Sequence, residues 1–155
     1  MVSETVTSSV TAGLVSFLVA LITTEYRLRR KQSVESQNEV QEWYAEAAQS
    51  ASDIELIWEN EYEVKRENGA AASFDEITRR MKMRGRQVNS HVGEAKSIDV
   101  DQELVEELEE LSRLCSSLSD IPTGLGKNTE YRDRGREIAD EAQTVEELAL
   151  ELMTD

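Results

Sequence analysis

The segment from Leu104 to Leu118 reads LVEELEELSRLCSSL and has the clearest helical pattern in the chain. Its apolar residues recur every three or four positions, at Leu104, Leu108, Leu111, Cys115 and Leu118. Residues with that spacing share one face of an α-helix, so the segment predicts a helix with one buried face and one acidic face. Cys115 is the only cysteine, which excludes an internal disulfide, and its place on the stripe predicts a small buried core residue.

Similar stripes lie on both sides of this segment. A first helix is predicted over about residues 33–67, from Val40, Tyr44, Ala47, Ala51, Ile54, Trp58 and Tyr62. A second is predicted from Ile77, Met81, Val88, Val92 and Ala95, and a fourth from Tyr131, Gly135, Ile138, Ala142, Val145, Ala149 and Leu152. The chain has one proline and no run of alternating β-branched residues, so no strand is predicted.

Short polar segments mark the ends of the predicted helices. Asn and Gly at 68–69 end the first helix, and Ser73 with Glu76 forms a capping box at the start of the second. Asp99 is predicted to cap the third helix and Asn128 the fourth. Four amphipathic helices with short links predict an all-α fold, an antiparallel bundle of about four helices.

Three glycines lie within the predicted helices. Gly135 lies on the apolar stripe of the fourth helix, which predicts that a neighbouring helix approaches closely there. Gly85 and Gly93 are expected to weaken the second helix by up to about 1 kcal/mol each relative to alanine.

An apolar run at the N-terminus predicts a membrane anchor. Val6 to Thr24 is nineteen residues without a charge, which span about 28 Å as a helix, close to the hydrocarbon thickness of a bilayer. The basic residues that follow are Arg27, Arg29, Arg30 and Lys31. Such a cluster marks the cytoplasmic end of a membrane span, so we expect the anchor in the cell membrane and the C-terminal domain in the cytoplasm. The predicted organisation is a short external N-terminus (1–5), a single transmembrane anchor (6–25), a basic juxtamembrane segment (26–32) and an acidic cytoplasmic helical domain (33–155).

Two other interpretations of the apolar run stay open. The run could be a buried helix of a soluble protein, because its serine and threonine residues lower its hydropathy. It could also be a signal peptide, but a signal peptide begins with basic residues, and the only charged residue before this run is Glu4. Within the run, Ser8, Ala12, Ser16 and Ala20 recur every four residues, a spacing that favours pairing of two membrane helices. A high content of small residues is the simpler explanation of the same spacing.

The charge of the predicted domain is strongly negative. The whole chain has 17 Lys and Arg residues and 32 Asp and Glu residues. Residues 1–32 contain four of the basic and two of the acidic residues, so the predicted domain has 13 basic and 30 acidic residues and a net charge of about −17. This charge disfavours nucleic acid as a partner. In general layout the chain resembles small single-span proteins with acidic helical domains from salt-loving archaea, a resemblance that carries no functional residues. A solvated acidic surface in a mesophile is the alternative.

Two basic groups stand out in this acidic domain. They are Arg79, Arg80, Lys82, Arg84 and Arg86 in the second helix, and Arg132, Arg134 and Arg136 in the fourth. In an up-down-up-down bundle both groups fall in the half away from the membrane, where they form a candidate docking face for an acidic partner. The alternative is internal pairing with the carboxylates of the first helix, Glu59, Glu61, Glu63 and Glu67.

No catalytic pattern is found in the sequence. The Gly124-Leu-Gly-Lys-Asn-Thr129 segment has Ile121 and Asn128 where a phosphate-binding loop needs Gly and Ser or Thr. His91 has no second histidine, and Val88 interrupts a Glu-x-x-His motif, so no metal site and no cofactor are predicted. We therefore expect a non-enzymatic membrane scaffold or adaptor that binds a protein partner. The chain itself is expected to form a homo-oligomer. The alternative is a helical signalling relay coupled to a membrane partner.

Overall fold

The computed structural model describes residues 34–122 and 128–154, which form four helices and no strand. Helix α1 covers residues 34–67 and contains a π-helical turn, Glu59–Glu63, before its last turn, Val64–Glu67. Helix α2 is Phe74–Ala95, and α3 is Gln102–Ser117, followed by a 3-10 turn, Leu118–Asp120. Helix α4 is Asn128–Thr154. The packing described below is that of one compact unit, Glu39–Asp155.

Neighbouring helices of this unit run antiparallel. The hydroxyl of Tyr44, early in α1, accepts a hydrogen bond from the backbone N–H of Asp101, just before α3 (3.1 Å). The hydroxyl of Tyr131, early in α4, donates to the carbonyl of Phe74, the first residue of α2 (3.1 Å). Late in α1, the ring of Tyr62 lies 6.2 Å from that of Phe74. Helices α1 and α3 therefore begin at one end and α2 and α4 at the other, which confirms the predicted helical bundle.

The core forms where the predicted apolar stripes meet. The largest fully buried side chains are Ile54, Ile77, Met81, Val88, Leu104, Leu108, Leu111, Leu114, Leu118, Tyr131, Ile138 and Val145. Burying each aliphatic side chain of this size contributes about 1.5–3 kcal/mol to folding. The stripes are confirmed, but α1 buries a wider face than its stripe indicates, because Trp43, Ala48 and Ile57 are buried too.

The helix ends agree with the predicted signals at two of the three places where the cap is described; the predicted Asn128 cap of α4 adjoins residues outside the described ranges and stays a prediction. Gly69 has φ 71°, the left-handed conformation that ends α1. The Ser73 hydroxyl accepts from the N–H of Glu76 at 3.4 Å and caps α2. The predicted Asp99 cap of α3 is wrong: the carboxylate of Asp101 accepts from the second and third N–H groups of the helix at 2.9 and 3.3 Å. The Tyr44 hydroxyl binds the backbone of Asp101, which places Asp101 and not Asp99 at the start of α3.

The predicted membrane segment lies outside the described residues. Within 34–122 and 128–154, no helix is both long and apolar enough to cross a bilayer. The residues outside are the helix-pairing set Ser8, Ala12, Ser16 and Ala20 and the juxtamembrane set Arg27, Arg29, Arg30 and Lys31. The anchor therefore stays a prediction.

Candidate functional site

Three arginines of the predicted docking face form ion pairs with α1. The pairs are Arg80 with Glu61 (2.6 Å), Arg84 with Asp53 (3.1 Å) and Arg136 with Glu63 (3.2 Å). Glu61 and Glu63 both belong to the π-helical turn, and through them the end of α1 contacts α2 on one side and α4 on the other. A hydrogen bond from Lys65, together with the charges of Lys65 and Arg80, lowers the pKa of Glu61. The two basic groups thus meet across the end of α1.

Three further arginines pair within their own helices. These pairs are Arg79 with Glu76 (2.8 Å), Arg132 with Asp133 (3.4 Å) and Arg134 with Glu137 (2.9 Å). Exposed ion pairs of this kind contribute at most about 1 kcal/mol each, so they leave these guanidinium groups available to an incoming carboxylate.

Lys82 and Arg86 remain without a carboxylate partner among the described residues. They lie one turn apart on the exposed surface of α2, and between them the side chain of Met83 is 60 % exposed. We name Lys82, Met83 and Arg86 the basic ridge. An ammonium and a guanidinium next to an exposed thioether suit a ligand that carries both a carboxylate and an apolar group.

A groove runs between α1 and α2 beside the basic ridge. It has a volume of about 300 Å³ and is lined by Ile57, Arg80, Met83, Arg84 and Gln87. Met83 belongs to both features, so a bound apolar side chain would contact the groove while its neighbours reach the ridge. We name this feature the α1–α2 groove.

The interface of α3 and α4 holds two facing carboxyl groups. Burial, together with the facing carboxyl of Glu107, raises the pKa of Glu141 to about 7, and Glu110 and Glu137 act in the same direction. One carboxyl oxygen of Glu141 is buried and has no hydrogen-bond partner in the described part of the chain. This interface therefore favours the protonated form of Glu141.

Three side chains that can bind a metal ion lie close together between α1 and α2. Glu46, His91 and Glu94 each offer one ligand atom, and these atoms lie within 4.8 Å of one another. The cluster could not be predicted from a Glu-x-x-His motif, because Val88 lies three residues before His91. The glutamate lies three residues after it, a His-x-x-Glu spacing that also puts both side chains on one helix face.

No known protein family matches this sequence, and neither does any curated protein or solved structure. The function must therefore be inferred from the chain's own contacts and charges. Among the sequence-predicted docking residues, the structure places Lys82 and Arg86 one turn apart, without an ion pair to any residue of 34–122 or 128–154, and it pairs Arg80, Arg84 and Arg136 with α1.

Proposed function

We propose that the chain is a membrane-tethered, non-enzymatic adaptor whose helical domain docks an acidic segment of a partner protein. The observation that carries this proposal is the basic ridge. In a chain with 17 basic and 32 acidic residues, carboxylates are abundant, yet neither Lys82 nor Arg86 forms an ion pair with one within the described residues. Their charges are available to a partner.

The chemistry of this surface favours a short acidic peptide segment over a polyanion. A net charge of −15 repels nucleic acid and anionic lipid as extended surfaces, whereas a single peptide segment contacts only the basic ridge. The exposed Met83 and the α1–α2 groove accept an apolar side chain of the same segment, because methionine adapts its shape to different partners. Such a segment carries an apolar side chain next to its carboxylates.

The tether in this proposal is the apolar run over residues 6–25. The basic residues of 26–32 would lie at the cytoplasmic surface and fix the orientation. The signalling relay stays a prediction, because its membrane input lies in residues 1–33, outside the described part of the chain.

A photo-crosslinking amino acid at position 83 of the full chain tests the docking surface in its own membranes. We expect crosslinks to an acidic segment of another protein, identified by mass spectrometry, and their loss when Lys82→Glu and Arg86→Glu are combined. The matched control combines Lys96→Glu with Arg113→Glu, which changes the net charge equally at other exposed sites and should retain the crosslinks.

Two results would contradict the proposed docking. Crosslinks that persist after charge reversal of the ridge would show that its cations do not bind the partner. Crosslinks confined to a second copy of this chain would make the surface a self-association site in place of an adaptor site.

A further inference from the structure

A buried histidine between α1 and α2 has one ring nitrogen without a hydrogen-bond partner. His91 is 8 % exposed, and its Nε2 lies 3.0 Å from the hydroxyl of Ser50, which is itself buried. Its Nδ1 is buried and makes no hydrogen bond to any residue that the structure describes. The nearest carboxylate oxygens belong to Glu94 at 3.6 Å and Glu46 at 3.9 Å.

The surroundings of His91 hold the orientation of its ring. When Nε2–H donates to the Ser50 hydroxyl, Nδ1 carries a lone pair directed at the two carboxylates. The indole N–H of Trp43 also donates to the backbone carbonyl of His91 at 3.1 Å and holds this turn of α2 against α1. Hydrogen bonding of the second ring nitrogen is the usual support of a metal-binding histidine.

We propose that Glu46, His91 and Glu94 bind one divalent transition-metal ion, with Zn²⁺ the best match. One imidazole nitrogen and two carboxylate oxygens are ligands that Zn²⁺ prefers. With bonds of about 2.0–2.2 Å, tetrahedral ligand atoms lie about 3.3 Å apart. The two distances from His91 Nδ1, 3.6 and 3.9 Å, therefore need to shorten by only a few tenths of an ångström, and the two glutamate oxygens, which lie within 4.8 Å of each other, by at most about 1.5 Å. Both glutamate side chains are more than half exposed and are free to make that movement.

A protonated imidazole paired with the glutamates is the competing explanation. It would bring Nδ1–H within hydrogen-bond distance of a carboxylate oxygen, but the nearest lies at 3.6 Å. Mg²⁺ and Ca²⁺ fit poorly because they require oxygen ligands in larger number. Three protein ligands leave a coordination position open to water. The cluster shares no residue with the basic ridge, so the two proposals are tested independently.

Calorimetric titration of Zn²⁺ into the metal-stripped full chain, kept in mild detergent and molar KCl, tests the proposed stoichiometry. We expect one Zn²⁺ per chain, and affinity lowered about tenfold or more by Glu46→Gln combined with Glu94→Gln. The matched control, Glu109→Gln, removes an exposed carboxylate of α3 and should bind as tightly as the parent chain. No binding by the parent chain, or equal binding by the double variant, would overturn the site.

Nuclear magnetic resonance of the parent chain gives a test that requires no variant. The chain has one histidine, so ¹⁵N-labelled histidine reports on His91 alone. Zn²⁺ should shift the Nδ1 resonance strongly at one equivalent, while Mg²⁺ at the same concentration leaves it unchanged. Zn²⁺ that binds without shifting Nδ1 would be held by surface carboxylates and would overturn the proposal.

Discussion

The indole ring of Trp58 in α1 occupies the place where a β-carbon of residue 135 in α4 would lie. A β-carbon built on Gly135 would come within 2.0 Å of Trp58 Cζ3. We expect Gly135→Ala to lower the free energy of unfolding by about 1–3 kcal/mol, because the ring has to move within a packed core. Urea denaturation followed by circular dichroism measures this change.

Gly93→Ala is the matched control for that substitution. A β-carbon on Gly93, which lies on the exposed face of α2, meets no atom within 4 Å. Alanine should therefore raise the free energy of unfolding by about 0.5–1 kcal/mol, since it only reduces the freedom of the unfolded chain. Effects of the same sign at both positions would contradict the close approach of α1 and α4.

The raised pKa of Glu141 predicts greater stability in mild acid. Its pKa is about 7 in the folded chain against 4.5 ordinarily, so between these values the folded state holds a proton that the unfolded state has lost. This stabilisation is fully present below about pH 4.5 and is lost as pH rises through 7. Burial and neighbouring glutamates raise the pKa of Glu55 in the same direction. Melting temperatures between pH 5 and 8 should therefore fall with pH.

Glu141→Gln isolates that contribution. The amide cannot ionise, so the variant should be more stable than the parent chain at pH 8, by about 1 kcal/mol after allowance for solvent screening, with a flatter pH profile. Glu109→Gln, an exposed change of the same kind, should keep the parent profile. An unchanged profile in Glu141→Gln would show that this carboxyl does not cause the pH dependence.

Cys115 should be inert to thiol reagents in the folded chain. Its side chain is fully buried, and this burial raises its pKa to about 12, so both access and the reactive thiolate are lacking. The rate of thiol labelling should be limited by the rate of unfolding, and mass spectrometry of quenched labelling reactions measures it. Ser116→Cys in a Cys115→Ala background places a thiol on the exposed face next door and should react at once. Rapid labelling of Cys115 in the folded chain would contradict the packing of α3.

The net charge predicts that added salt stabilises the domain. With about −17 on residues 33–155, the screening distance falls from about 10 Å at 0.1 M salt to about 3 Å at 1 M, which weakens repulsion among carboxylates. Helicity and melting temperature should both rise with potassium chloride. Equal values in dilute buffer and in molar salt would argue against adaptation to a salt-rich cytoplasm.

Local periodicity was sufficient to predict the helices, because each helix buries a face that its own sequence defines. Most contacts between helices could not be predicted in this way, although Gly135 on the apolar stripe of α4 correctly indicated the close approach of a neighbouring helix. Which of two nearby aspartates caps α3 depends on Tyr44, 57 residues before Asp101. Gly85 was expected only to weaken α2, yet a β-carbon there would lie 2.7 Å from that of Cys115, so this glycine permits close packing of α2 and α3.

The candidate sites show the same division between local and distant information. Basic residues of the docking face could be recognised from composition, but which of them are free depends on the carboxylates that α1 presents. Glu61 and Glu63 are two residues apart and so lie on different sides of α1, where they pair with Arg80 of α2 and Arg136 of α4. Likewise, Glu46 and His91 are 45 residues apart and meet only through the register of α1 against α2.

The two tryptophans of α1 divide the bundle into two optical regions. Trp43 packs edge-on against Tyr44 near the end of α2, and Trp58 stacks on Tyr62 near its start. Fifteen residues of helix separate them by about 22 Å. The fluorescence of each indole therefore reports on its own end of the bundle. Variants that retain one tryptophan would show whether the two ends unfold together or one before the other.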